Sequence, residues 1–307
     1  MSWTPAWPGY VADPFVTRAG EGYVAIGTED PAPVTGPVFP LLVSDDLAGW
    51  RSAGHALERP DPALGDAFWA PEIAEADGEW WMYYSVGHGI AGHRIRVARA
   101  DEATGPYRDV GVVLTPGESF AIDAHPFRDV DGTWYLFFAR DVLDAERPGT
   151  HLAVAPLASM TELASDPVEV LAPFSDVHIY ERDREMYGQR FTWHTLEGPS
   201  VVRRHGRYWM TFSGGAWTGP GYAVSWAVAD HPLGPWTPAP ASAPTLLATG
   251  GGLVGPGHNS LVVGPDGDDM IAFHSWDERR TARRLHLAPI RFELDGPRVT
   301  DPPGGRP

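Results

Sequence analysis

One hydrophobic pattern returns five times along the chain. A turn glycine opens a run that is apolar or aromatic at nearly every position, as in Gly78-Glu79-Trp80-Trp81-Met82-Tyr83-Tyr84-Ser85. The pattern comes back after Gly20 (EGYVAIGT), Gly132 (TWYLFFAR), Gly206 (RYWMTFSG) and Gly267 (DDMIAFHS). The fourth residue after each glycine is Val24, Met82, Leu136, Met210 or Ile271, and the sixth is Ile26, Tyr84, Phe138, Phe212 or Phe273. A strand apolar on both faces lies between two layers. Downstream, Leu42-Val43-Ser44-Asp45 leads to Gly49-Trp50, Val97-Ala98-Arg99 to Gly105-Pro106-Tyr107, and Val228-Ala229-Asp230 to Gly234-Pro235-Trp236. Each reads as a third strand, a loop, and a fourth strand opened by an aromatic residue.

Repeats of this length in all-β sequence point to propeller blades. The spacing predicts a five-bladed β-propeller of four-stranded antiparallel blades around a central channel. The blades begin near residues 11, 69, 122, 197 and 257, in one domain over residues 1–307. A β-sandwich is the alternative all-β arrangement. Residues 141–196 exceed the usual spacing, and DVHIYERDREMYGQRFTWHT, polar with weak periodicity, reads as a long loop of the sort that covers a site.

Composition narrows the partners. The net charge of −17 repels phosphate backbones and anionic lipid, so neither nucleic acid nor a membrane is expected. The chain has no cysteine, which removes disulfides and thiolate metal sites. MSWTPAWPGY has neither a basic nor an apolar leader region, and a cytoplasmic location is expected from it.

The candidate chemistry precedes the turns. The five first strands open as ADPFV, WAPEI, IDAHPF, LEGPSVV and GHNSLVV, each with an ionisable residue: Asp13, Glu72, Asp123, Glu197 and His258. First strands line a propeller's channel, so these groups should converge at one mouth. Clustered carboxylates repel and cost stability, which favours a functional reason for them. Two carboxylates about a bound sugar are the minimum for glycoside hydrolysis, one as acid and one as base. A third nearby would raise the acid's pKa by repulsion.

In order and in register, these motifs resemble glycoside hydrolase family 43, the arabinanases, arabinofuranosidases and β-xylosidases. The resemblance implies Asp13 as general base, Asp123 as the residue that tunes the acid, and Glu197 as general acid. It implies that Arg283, in TARRLHLAPIRF, contacts the sugar. It also implies that His258, in GPGHNSLV, lies in the channel, where a calcium or other ion is expected through water; the chemistry itself needs no cofactor. His125 and Phe15 stand where the family has smaller residues and are expected to reshape the subsite. Trp69, as a stacking wall, with Phe120, His125 and Trp193 completes the expected substrate contacts. Glu72 is expected to brace backbone. His55, His88, His93, His151 and His231 read as loop or surface residues.

The implied activity is inverting exo-hydrolysis of terminal α-L-arabinofuranosyl residues from small arabino-oligosaccharides. The alternatives are a β-xylosidase acting on xylo-oligosaccharides, a non-catalytic sugar-binding propeller, and the related retaining fructosidases.

Overall fold

The computed structural model describes residues 3–300. The ends of the expected domain, residues 1–2 and 301–307, lie outside the described residues. Strands β1 (Ala12–Ala19), β2 (Gly22–Thr28), β3 (Val38–Ser44) and β4 (Trp50–Leu57) form a first antiparallel meander. A second is β5 (Ala67–Ala76), β6 (Glu79–His88), β7 (Ala91–Ala100) and β8 (Arg108–Val113). In the third, β9 (Ala121–Arg128) and β10 (Trp134–Val142) lead to β11 (Gly149–Ser159), which carries the short β12 (Glu162–Leu163) and β13 (Val168–Leu171). Next, β14 (Ile179–Met186) pairs with β15 (Gln189–Arg204), which opens the fourth meander with β16 (Arg207–Gly214), β17 (Ala223–Ala229) and β18 (Thr237–Pro238). The fifth is β19 (Val254–Val263), β20 (Asp269–Trp276), β21 (Arg283–Glu293) and β22 (Gly296–Val299). Two single-turn 3-10 helices, Pro62–Leu64 and Asp176–His178, are the only helices among the described residues.

The meanders stand in a closed ring, the propeller arrangement. First strands touch in the order β1, β5, β9, β15, β19 and back to β1. The core is correspondingly divided. One apolar cluster joins the first and second meanders through Ile26, Phe39, Phe68 and Tyr84, and another joins the second and third through Tyr83, Leu136 and Phe138. Phe137 and Phe212 link the third to the fourth, Trp209 and Phe273 the fourth to the fifth, and Leu42 and Leu285 the fifth to the first. This explains why second strands are apolar on both faces: each face packs on a different neighbour. A fully buried side chain of this kind contributes roughly 1.5–3 kcal/mol.

All five first strands carry a β-bulge at the same place. Between Ala12↔Thr28 and Phe15↔Ile26, β1 spends one more residue than β2, and β5, β9, β15 and β19 do likewise against their second strands. The residue after the first anchor is left-handed in every case: Asp13 (φ 48°), Ala70 (φ 45°), Asp123 (φ 61°), Gly198 (φ 58°) and His258 (φ 43°). Such a bend re-aims a side chain and strands a backbone N–H. Four of these N–H groups donate to a side chain on the second strand of the preceding meander. Ala70 donates to Thr28 Oγ1 (2.8 Å), Asp123 to Ser85 Oγ (3.2 Å), His258 to Ser213 Oγ (2.7 Å) and Asp13 to His274 Nδ1 (3.0 Å). The equivalent residue of the third meander, opposite Ile122, is Ala139, which has no acceptor. There the Gly198 N–H donates to Asp123 Oδ2 instead, at 2.9 Å.

The segment expected as a long loop is a hairpin. Tyr187 (φ 52°) and Gly188 (φ 73°) make the tight turn between β14 and β15. Both faces of β14 are polar or half-exposed, so no alternation marked it as a strand. The hairpin is tied to the third meander by the short parallel pairing Gly149↔His194 and Thr150↔Thr195.

The inter-meander hydrogen bonds are testable away from the carboxylates. Thr28→Val keeps the shape but leaves the Ala70 N–H without an acceptor. It should lower stability by about 1–3 kcal/mol, read as a lower midpoint of urea unfolding. A midpoint equal to the wild type's would show that this bond does not matter.

Candidate active site

The bulge decides which residues meet. Asp13, Asp123 and His258 share the left-handed position, so their side chains are aimed alike. Glu197 sits one residue earlier, level with Trp69 and Ile122. Glu72 and His125 sit two residues after the left-handed position, level with each other. The five ionisable openings of the sequence therefore occupy three levels.

The upper two levels line one pocket of about 490 Å³ with Arg283, Trp217, Ile90 and Asp30. Trp69 lies on its wall with one ring face against His93, at 3.6 Å between centroids and 15° between planes. His93 is wholly buried, and its Nε2–H donates to Gly89 O (2.8 Å). His93 and the equally buried His151 are thus corrections to the reading of both as surface residues.

Two carboxyls in this pocket are driven apart in acidity. Burial alone would raise Asp13, but Arg283, His258 and His274 outweigh it and hold Asp13 well below the usual carboxylate range. Arg283 Nη1 donates to Asp13 Oδ1 (3.2 Å), and His258 Nδ1 lies 3.5 Å from the same oxygen. Glu197 has no such cation bonded to it. Burial pushes it up to about 7, the Tyr222 hydrogen bond opposes that, and the charge of Asp13 adds to it. Asp123 is itself raised, by burial first and then by Glu197 and Asp13. Burial is the first cause at both Glu197 and Asp123, and their mutual repulsion follows it at Asp123. The arrangement holds an ionised carboxylate and a protonated carboxyl in one pocket near neutral pH, the pairing that general acid–base chemistry needs.

Several residues that form this site are absent from the expectations. Tyr222 O–H donates to Glu197 Oε1 at 2.6 Å, and its ring stacks on His274 (5.6 Å, 11°). A Cβ at Gly257 would come within 2.0 Å of the Tyr222 ring, so only glycine leaves that seat open. Trp217 lies under the Arg283 guanidinium at 4.6 Å. His274 carries a sequence signal: it occupies the place of Thr28, Ser85, Ala139 and Ser213 in the repeat. Tyr222 and Trp217, in a glycine-rich loop, carry no periodic signal.

Two expectations change place. His125, expected against the substrate, is buried below the pocket with both ring nitrogens engaged. Its Nδ1 lies 2.7 Å from Glu72 Oε2, and its Nε2 accepts the Val201 N–H at 3.0 Å. Glu72 thus braces backbone only through His125. Phe15, level with His125, packs into the core between the first two meanders. Both lie too far past the bulge to face the pocket.

Beyond Glu197 a second chamber of about 500 Å³ shares Trp69, Ile90, Ile122, Glu197 and Trp217 with the first. Phe120 and Trp193 line this one. For the expected channel ion, His258 turns Nδ1 toward Asp13 and Asp123, the latter at 3.8 Å. No group of three or more His, Asp or Glu side chains among the described residues is placed to hold a metal. No helix among the described residues is long and apolar enough to cross a membrane.

The sequence profile of Glycosyl hydrolases family 43 matches residues 3–297. The chain is 30% identical over 298 residues to the β-D-galactofuranosidase xynD of Aspergillus niger, covering 91% of this chain and 78% of that one. It is 27% identical over 325 residues to an extracellular exo-α-(1→5)-L-arabinofuranosidase of Streptomyces avermitilis, covering 93% of this chain and 60% of that protein. A crystal structure of a thermostable family-43 glycoside hydrolase superposes with a TM-score of 0.85 at 26% identity, over 100% of this chain and 98% of that one.

Tyr222 offers a direct test of the Glu197 environment. Its hydrogen bond favours the ionised form of Glu197, so Tyr222→Phe should raise the Glu197 pKa above about 7. Activity that needs protonated Glu197 should then persist to higher pH. An alkaline limb of kcat/KM that stays put or moves down would contradict this placement.

Proposed function

From the chain's membership of glycosyl hydrolase family 43, we propose that it is an inverting exo-glycosidase removing terminal α-L-arabinofuranosyl residues from small oligosaccharides. The observation that carries the mechanism is the opposed acidity of Asp13 and Glu197 in one pocket. In this reading the sugar sits between them, over Trp69. Asp13, kept ionised by the Arg283 guanidinium, takes a proton from a water that attacks the anomeric carbon. Glu197 gives its proton to the departing glycosidic oxygen, so the carbon–oxygen bond breaks without expelling an alkoxide. Tyr222 holds Glu197 Oε1 by donating to it, which leaves Oε2 to carry the proton. Asp123 keeps the backbone beside Glu197 in place through Gly198.

The furanoside class is supported by both curated relatives, whose names specify furanosides. The Aspergillus relative favours a second reading, β-D-galactofuranoside as substrate. The Streptomyces relative is an extracellular enzyme, which gives no support to the expectation of a cytoplasmic protein.

The test combines aryl substrates with variants. The wild type should release the sugar of an aryl α-L-arabinofuranoside faster than that of the β-D-galactofuranoside or β-D-xylopyranoside. NMR should show the inverted anomer first. Glu197→Ala should slow a sugar leaving group by about 10²–10⁴-fold, and a dinitrophenyl leaving group, which needs no proton, far less. Asp13→Ala should slow both. An equal loss on both leaving groups in Glu197→Ala would remove Glu197 as the acid. With a protonated Glu197 required, kcat/KM should fall as pH rises through about 7.

A further inference from the structure

The chamber beyond Glu197 has its own polar equipment. One wall is the β14–β15 hairpin. On β15, alternate residues Trp193, Thr195 and Glu197 face the chamber, as strand periodicity dictates. On β14, Tyr180, Arg184 and Met186 face it. The opposite side carries Asp141 and Thr150 from the third meander. Neither Asp13 nor Asp123 borders it. The acid therefore stands between a chamber that contains the base and one that does not.

Arg184 is unusual for a guanidinium in this chain. Its side chain is only 15% exposed, yet its one ion pair is long, 3.8 Å to Glu181 Oε2. It lies 4.4 Å over the Tyr180 ring, and it makes no hydrogen bond to the described residues. An Arg head held on an aromatic face keeps its rigid fork of donors, here facing the chamber. Asp141 is the opposite case. It accepts from Tyr187 O–H (2.7 Å) and Thr150 O–H (3.1 Å), and a carboxylate has lone pairs for further donors. Tyr187 is the turn residue of the hairpin, so this bond also fixes the wall that carries Arg184.

We propose that this chamber is the leaving-group subsite, in which Arg184 and Asp141 bind the hydroxyls of a neutral sugar. The assignment rests on the glycosidase reading above, because it takes Glu197 as the group that faces the departing oxygen. A hydroxyl accepts from the Arg184 fork and donates to the Asp141 carboxylate. The aromatic walls Trp193 and Phe120 cover the apolar faces of the ring. A neutral sugar's hydroxyls use both the Arg184 donors and the Asp141 acceptor, whereas a sugar carboxylate would pair with Arg184 alone and face the Asp141 carboxylate. Nothing in this set recognises an aryl leaving group through hydrogen bonds.

The measurement is the ratio of kcat/KM for a disaccharide to that for an aryl glycoside of the same sugar, in the full chain. A buried hydrogen bond to a charged group is worth about 1.5–3 kcal/mol. Arg184→Leu and Asp141→Asn should therefore each lower the ratio by about 10–100-fold, with the inverted product retained on both substrates. A ratio unchanged in both variants overturns the proposal, as does an equal fall on both substrates. A ratio that falls only for a uronate-bearing disaccharide overturns the choice of a neutral sugar. If the wild type cleaves no glycoside of any sugar tested, the glycosidase reading fails. Failure of the subsite is distinct, since it requires an active wild type with an indifferent Arg184.

Discussion

The structure depends on finding a partner for one backbone N–H per meander. Each inner strand bulges and turns one residue left-handed, at a buried position of the ring. An unmet buried donor costs about 1–3 kcal/mol, so five of them would be intolerable together. The preceding meander meets four with a side chain of its second strand: Thr28, Ser85, Ser213 and His274. These bonds set the rotation of each meander against the next. The exception is informative. Where Ala139 provides no acceptor, Asp123 serves the Gly198 N–H, and the residue before Gly198 is Glu197. The irregular step of the ring and the candidate acid are the same place.

That geometry also sorts the charges. Asp13 and Glu197 are both buried, and desolvation alone would raise both. The difference is in their company. Arg283 and two histidines converge on Asp13, while Glu197 has only the phenol of Tyr222. Two carboxyls of similar intrinsic acidity thus take opposite states within one pocket. The neutral Trp69–His93 stack forms a wall that disturbs neither, since burial lowers His93 to about 4 and keeps it uncharged.

Much of this was legible in the sequence, because a propeller repeats its physics. Each second strand packs on two neighbours, so Tyr84, Phe138, Phe212 and Phe273 advertise the meanders directly. Asp13, Asp123 and His258 were found because they occupy equivalent turns of the inner strand. The level of each group was not legible. The motifs alone bring all five ionisable openings to one channel mouth, whereas the bulge places Glu197 one residue before the left-handed position and drops Glu72 and His125 below the pocket. A bulge leaves no compositional trace when its left-handed residue is Asp, Ala or His. The β14–β15 hairpin was missed for another reason: a strand with two wet or ligand-facing sides shows no apolar alternation. Tyr222 reaches Glu197 from a loop, across a gap that only Gly257 leaves open, and no pattern in the chain encodes such a contact.

The ring closes between the first strand and the last meander without exchanging a strand between them. The consequence concerns synthesis. Asp13 is separated from His274 by 261 residues and from Arg283 by 270. As the chain emerges from the ribosome, at about 5–20 residues per second, Asp13 spends nearly the whole of translation without the guanidinium and the imidazole that set its acidity. Earlier meanders can dock in order as they appear. The depressed pKa of this one carboxylate waits for the final strands, so its titration reports completion of the ring rather than the presence of any single meander.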